Sequence, residues 1–149
     1  MTDSPPPPVP TERLAHLQMI QGVISRMATC SFAVKQWAVA LVAVAGTLDL
    51  TSLGGFSWTL PVPLLALWLL DAWYLDQERL YRDLYDYVRA GNDTLPGDEH
   101  PFGMKATSLP AEHRTQSKGV WAAARRDVVW LLYAVLALTA IFAIVFGGE

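Results

Sequence analysis

The stretch from Val128 to Phe146 holds 19 consecutive residues without a charge, and it limits this chain more than any other feature. As a helix it reaches about 28 Å, close to the ~30 Å hydrocarbon thickness of a bilayer. Two further apolar blocks precede it. One runs from about Gln36 to Leu53, opened by Lys35 and Trp37 and closed by Asp49 and Gly54-Gly55. The other runs from about Phe56 to Leu75, with Pro61 and Pro63 in or near its first turns, where a missing N–H matters least. Charged residues make up only 17% of the chain and hydrophobic residues 52%, whereas soluble domains average ~25% charged. Disorder, a collagen and a disulfide scaffold are excluded; the lone cysteine, Cys30, has no partner for an internal bridge. The expectation is an all-α integral membrane protein with three transmembrane helices, an amphipathic N-terminal helix and a cytoplasmic extension of the second span.

Lys and Arg placement sets the orientation. Of the 11, Arg13, Arg26 and Lys35 precede the first span, and the other 8 (Arg79, Arg82, Arg89, Lys105, Arg114, Lys118, Arg125 and Arg126) lie between the second and third. None falls in residues 49–58 or after the third span. This predicts the bacterial inner membrane, a cytoplasmic N-terminus and a periplasmic C-terminus. The first basic side chain is Arg13, so no cleaved signal peptide is expected.

Residues 1–11 read as a disordered proline-rich tail. Residues 12–35 read as an amphipathic helix capped by Thr11, with Leu14, Leu17, Ile20, Ile24 and Met27 on one side. The hairpin follows at 36–75, then a cytoplasmic helix at 76–91, a loop at 92–126 and the third span at 127–147. The cytoplasmic helix carries an apolar stripe, Leu80, Leu84 and Val88, adjoined by Tyr81 and Tyr85. These five residues are the candidate contacts of a homo-oligomer; the alternative is that the amphipathic helix of residues 12–30 covers the stripe, which gives a monomer. Glu78 with Arg82, Asp76 with Arg79 and Asp86 with Arg89 have ion-pair spacing, and Gly91-Asn92 ends the helix.

Asp71 is the most informative polar residue. An ionised Asp at mid-membrane costs ~2.5–3.5 kcal/mol on the insertion scale. Lys35 comes to a similar depth in an antiparallel hairpin, and its stem can reach down. Lys35 and Asp71 are therefore the candidate intramembrane ion pair, setting hairpin register or a gate; an interfacial Asp facing headgroups and water is the alternative. Arg26, Ser31 and Gln36 read as interface polarity. Asp49 reads as a solvated helix end, or as a ring of carboxylates in an oligomer. His16, His100 and His113 lack metal-ligand spacing, and no phosphate loop or nucleophile motif occurs. No catalytic residue, metal or cofactor is expected. The basic residues alternate with acids, which argues against nucleic acid; the expected partners are the lipid bilayer, further copies of the chain and a cytoplasmic protein.

Two stretches carry a resemblance. Arg26, Met27, Ser31, Phe32, Lys35 and Trp37 fit R-M-x-x-x-S-F-x-x-K-x-W. Residues from Leu70 and Asp71 through Glu78, Arg79, Leu84 and Tyr85 to Val88 and Arg89 fit L-D-x-x-Y-L-x-Q-E-R-L-x-R-x-L-Y-D-x-V-R. Over about residues 17–89 the chain resembles a family of small, uncharacterised bacterial multi-pass membrane proteins. Its organisation is similar to that of SLATT-type membrane proteins of bacterial antiviral loci. The resemblance implies an oligomeric inner-membrane assembly, a pore-forming or membrane-perturbing effector in antiviral defence. The alternative is a non-conducting scaffold or regulatory subunit for a cytoplasmic partner.

Overall fold

The computed structural model describes residues 11–47, 61–97 and 101–146. The proline-rich tail, Asp49, the Gly54-Gly55 link, His100 and the last three residues lie outside them. Among the described residues the protein is all-helical, without strands.

Helix α1 runs unbroken over Thr11–Thr47, with Glu12 in its first turn favouring the helix dipole. The amphipathic stretch to 35 and the apolar stretch from 36 thus share one helix. Between Val23 and Ala45 there is no Gly or Pro, so the backbone has no reason to stop; only the polarity of its surroundings changes. Helix α2 spans Pro61–Arg89 and joins the second apolar block to the charged segment in one rod, about 43 Å long at 1.5 Å per residue. Gly91, at φ 102°, closes it: its N–H donates to the Val88 carbonyl at 3.0 Å, and that of Ala90 to Asp86 at 3.0 Å. The segment expected as loop to 126 contains a short helix, α3 (Val120–Ala124). Helix α4 covers Asp127–Phe146.

α1 lies along α2, α4 packs on both, and α3 rests on α2. At one end the core is Ala38, Val42, Leu64, Val129, Tyr133 and Leu136. At the other it is Ile20, Leu80, Leu84, Val88, Leu95 and Leu109, with Tyr81 and Tyr85 packed against it. Between them Ala72 meets Ala123 and Ala124, small side chains that let α3 come close to α2.

This second core is the covering by the amphipathic helix, with the loop added. Leu80, Leu84 and Val88, assigned to contacts between chains, are spent inside one chain, covered by Ile20 of α1 and by Leu95, Ala106 and Leu109 of the loop. Residues 92–118 include enough apolar side chains to fold back over the stripe. Of the expected spans, one helix is long and apolar enough to cross a membrane among the described residues, Thr11–Ala45; Val129–Phe142 is a shorter apolar stretch.

Candidate functional site

Asp71 sits on the inward face of α2 with 0% of its surface exposed. Ser31 and Lys35 lie one turn apart on α1 and face it together. The Lys35 ammonium donates to Asp71 Oδ1 at 2.6 Å and to Ser31 Oγ at 2.8 Å, and the Ser31 hydroxyl donates to the same Oδ1 at 2.5 Å. The three groups close a triangle across the α1–α2 contact. The two candidate pair residues are thus brought together, with a third, Ser31, that the sequence reading left as interface polarity. Its spacing of four from Lys35 was the available signal. The Lys35 side chain is 22% exposed, so the centre is reached from one side. The other Asp71 oxygen, Oδ2, has no protein partner, nor has Trp68 Nε1 one turn earlier. From α4, the Tyr133 hydroxyl donates to the Leu67 carbonyl at 3.3 Å, tying the third long helix to the same stretch of α2. Chemically the triangle is a register lock. A one-residue slip moves a helical side chain by about 1.5 Å and 100°, enough to break both contacts that cross to Asp71.

Farther along α2, two carboxylates hold the loop. Asp83 accepts hydrogen bonds from Thr115 Oγ1 at 2.9 Å, Gln116 N at 3.0 Å and Ser117 N at 3.0 Å. Asp76 accepts from Ser117 Oγ at 3.0 Å and Gly119 N at 3.1 Å. The two acids are seven residues apart, two turns, and so share a face. The sequence reading gave Asp76 to Arg79 and did not single out Asp83. Glu78 does pair with Arg82, but among the described residues neither Asp76–Arg79 nor Asp86–Arg89 closes to an ion pair. Asp76 is instead taken by Ser117 and Gly119, and Asp86 accepts from Gln116 Nε2 at 3.3 Å.

The start of α1 is clasped to the same layer. Arg13 grips Asp93 through Nε and Nη2, at 2.7 and 2.5 Å, which lowers the Asp93 pKa and raises that of Arg13. One turn on, His16 is 1% exposed, and neither ring nitrogen has a hydrogen-bond partner. It meets Phe102 edge-on at 5.5 Å. Phe102 holds a left-handed φ of 68° while its N–H donates to the Asp93 carbonyl at 2.8 Å. Burial pushes the His16 pKa down, against the raising effects of the Gly103 backbone and Asp93. His113 lies 3.9 Å from Glu112 and edge-on to Tyr87 at 5.0 Å, and no cluster able to hold a metal occurs among the described residues. Cys30 is half-buried; Arg26 and Gln36 are exposed.

No family model matches the chain, and no curated protein or solved structure matches it.

Proposed function

We propose that the chain is an integral protein of the bacterial inner membrane, crossed by α1 from about Gln36, by the first half of α2 and by α4, with the N-terminus in the cytoplasm. The outer surface supports this placement. Trp37, Leu65, Leu131, Leu138 and Ile141 all face outward, Trp37 with 70% of its surface exposed. Such a belt is costly in water and at home in hydrocarbon. Ser31, Lys35 and Asp71 in the same region turn inward onto one another, as charged groups within lipid do.

Within that membrane the protein acts as a non-conducting anchor or regulatory subunit that presents a fixed cytoplasmic layer to a protein partner. The burial of the stripe carries this reading: Leu84 is 0% exposed under the chain's own loop, so copies cannot be held together there without opening the fold. The charged centre also faces the α1–α2 contact, leaving a single chain without a lining for a water-filled path. The second reading is the oligomeric pore-forming or membrane-perturbing effector of antiviral defence. An apolar groove of about 570 Å³ favours it, because its walls, among them Trp37, Ala40, Pro63, Ala66 and Leu70, have room for a neighbour's helix.

Native mass spectrometry from mild detergent, paired with dye release from liposomes, separates the two. One chain per particle without release is expected of the anchor; a closed ring with release would replace it by the effector. C-terminal fusions test the placement: alkaline phosphatase should be active and green fluorescent protein dark.

A further inference from the structure

Nothing in the neutral fold calls for a histidine at position 16. Its ring is 1% exposed and neither nitrogen has a protein partner. A neutral imidazole carries one donor and one acceptor, and burying both without partners is unfavourable where a phenyl ring would not be. What a histidine alone supplies there is a charge gained just below neutral pH.

The ring stands midway along the strap that covers Leu80, Leu84 and Val88. One end of the strap is fixed where Arg13 grips Asp93. The other end is fixed where Asp83 accepts from Thr115, Gln116 and Ser117. Between these ends Arg114 donates to the Leu109 carbonyl at 3.0 Å and to the Thr107 carbonyl at 2.5 Å, which ties this part of the strap into one piece. Its Ala106 and Leu109 belong to the core built on the stripe. It meets α1 where Phe102 lies edge-on to His16, ring centroids 5.5 Å apart. Phe102 keeps a φ of 68°, a conformation unfavourable for a bulky L residue, so releasing its ring also relaxes its backbone.

A charged His16 would find no free counter-ion. From the loop, Asp93 faces it, with one oxygen on Arg13 Nε and the other on Nη2; the Gly103 backbone adds a second pull. On its own helix Glu12 is exposed, and Arg13 carries a like charge. The residues that α2 brings to the adjoining core, Leu80, Leu84 and Val88, are apolar. Burial outweighs both pulls, so the closed ring holds a proton less firmly than a free one.

We propose that His16 is an acid-released pin: charging its ring lifts residues 102–109 away from α1 between two fixed ends, the Arg13–Asp93 clasp and the Asp83 clamp. The cytoplasmic layer is then closed near neutrality and open over the stripe in acid. This deepens the reading of that layer as a surface offered to a protein partner, and rests on it.

The test is amide exchange of the full-length protein in mild detergent at about pH 7.5 and about pH 5.5, with intrinsic rates divided out. A released ring titrates near ~6.5, so one unit lower the opening equilibrium gains up to about tenfold. Exchange over residues 102–109 should rise by that factor, while residues 115–117 and α4 keep theirs. Asp93 is held by Arg13 below the usual carboxylate range, so the clasp stays ionised at both pH values. His16→Phe and His16→Gln, which do not titrate, should each lose the rise; the second serves if the larger ring disturbs packing. His100→Gln/His113→Gln should keep it. No rise, a rise spread evenly over the chain, one that survives in a folded His16 variant, or one lost with the other two histidines would overturn the pin. If native mass spectrometry finds a closed ring with dye release while the rise still follows His16, the anchor reading fails and the pin stands. If it finds one chain and no rise, the pin alone fails.

Discussion

Replacing Lys35 by leucine should cost more than replacing Asp71 by leucine, although both changes break the same 2.6 Å contact. The difference lies in what each leaves behind. Lys35→Leu strands a carboxylate that is 0% exposed, with only the Ser31 hydroxyl on one oxygen and no protein donor on the other. Removing one partner of a buried pair in this way costs ~3–5 kcal/mol. Asp71→Leu strands a lysine whose side chain is already 22% exposed. Its four-carbon stem can carry the ammonium to the interface, so the loss falls to ~1–3 kcal/mol. Removing both charges leaves an apolar contact and costs less than the two single losses combined, so a double-mutant cycle should return a coupling of ~2–3 kcal/mol. The assay is reversible unfolding in mixed micelles by dodecyl sulfate titration, followed by circular dichroism. Additivity within ~0.5 kcal/mol would refute the pair, and a larger loss for Asp71→Leu would refute the argument that burial traps the carboxylate.

Leu84→Asp places a charge in a site that is 0% exposed. It should destabilise the cytoplasmic layer by ~4 kcal/mol or more, seen as faster amide exchange over residues 80–109 with no change in particle mass. A smaller particle would instead mark a contact between chains. Asp83→Ala removes the acceptor for Thr115, Gln116 and Ser117 and should cost ~2 kcal/mol, with exchange rising at 115–117 and partial recovery in Asp83→Asn. The His16 pKa is lowered in the fold from about 6.5 in an unfolded chain, so the unfolded state binds more protons below that value. Its contribution is complete above about pH 6.5 and is lost as pH falls through the folded value. Melting temperature should therefore drop between pH 7 and pH 5 (roughly, on the reference scale), and His16→Phe should flatten that slope; an unaltered slope in the variant rejects the assignment. Asp93 is depressed by Arg13, so its contribution persists to lower pH, disappearing only below the ordinary carboxylate range.

Depth arithmetic in a hairpin was enough to bring Lys35 to Asp71, because charge in an apolar block has few places to go. The stripe Leu80, Leu84 and Val88 was equally legible as something that had to be covered. What covers it was not, since Leu95, Ala106 and Leu109 occur singly in a polar segment and carry no periodicity. The same holds for the Asp83 clamp, whose partners lie 32 to 34 residues away and are mostly backbone N–H groups, which any sequence supplies. That the amphipathic stretch and the apolar block share one helix has a different origin. Hydropathy reports the solvent around a helix, whereas helix ends are set by backbone hydrogen bonding, and nothing around Lys35 interrupts it.

The Lys35–Asp71 contact also bears on how such a chain is made. In the three-span placement, Lys35 is synthesised before Asp71, so its counter-charge already exists when the second helix emerges. Entering lipid alone, α2 would carry an ionised group worth ~2.5–3.5 kcal/mol against insertion at the bilayer centre. Entering beside α1, it brings that group already matched. In that placement the first two helices would leave the translocation channel as a couple, while α4, uncharged from Val128 to Phe146, would partition by itself. Biogenesis would then have one concerted step, the entry of α1 with α2, and one independent step, the entry of α4.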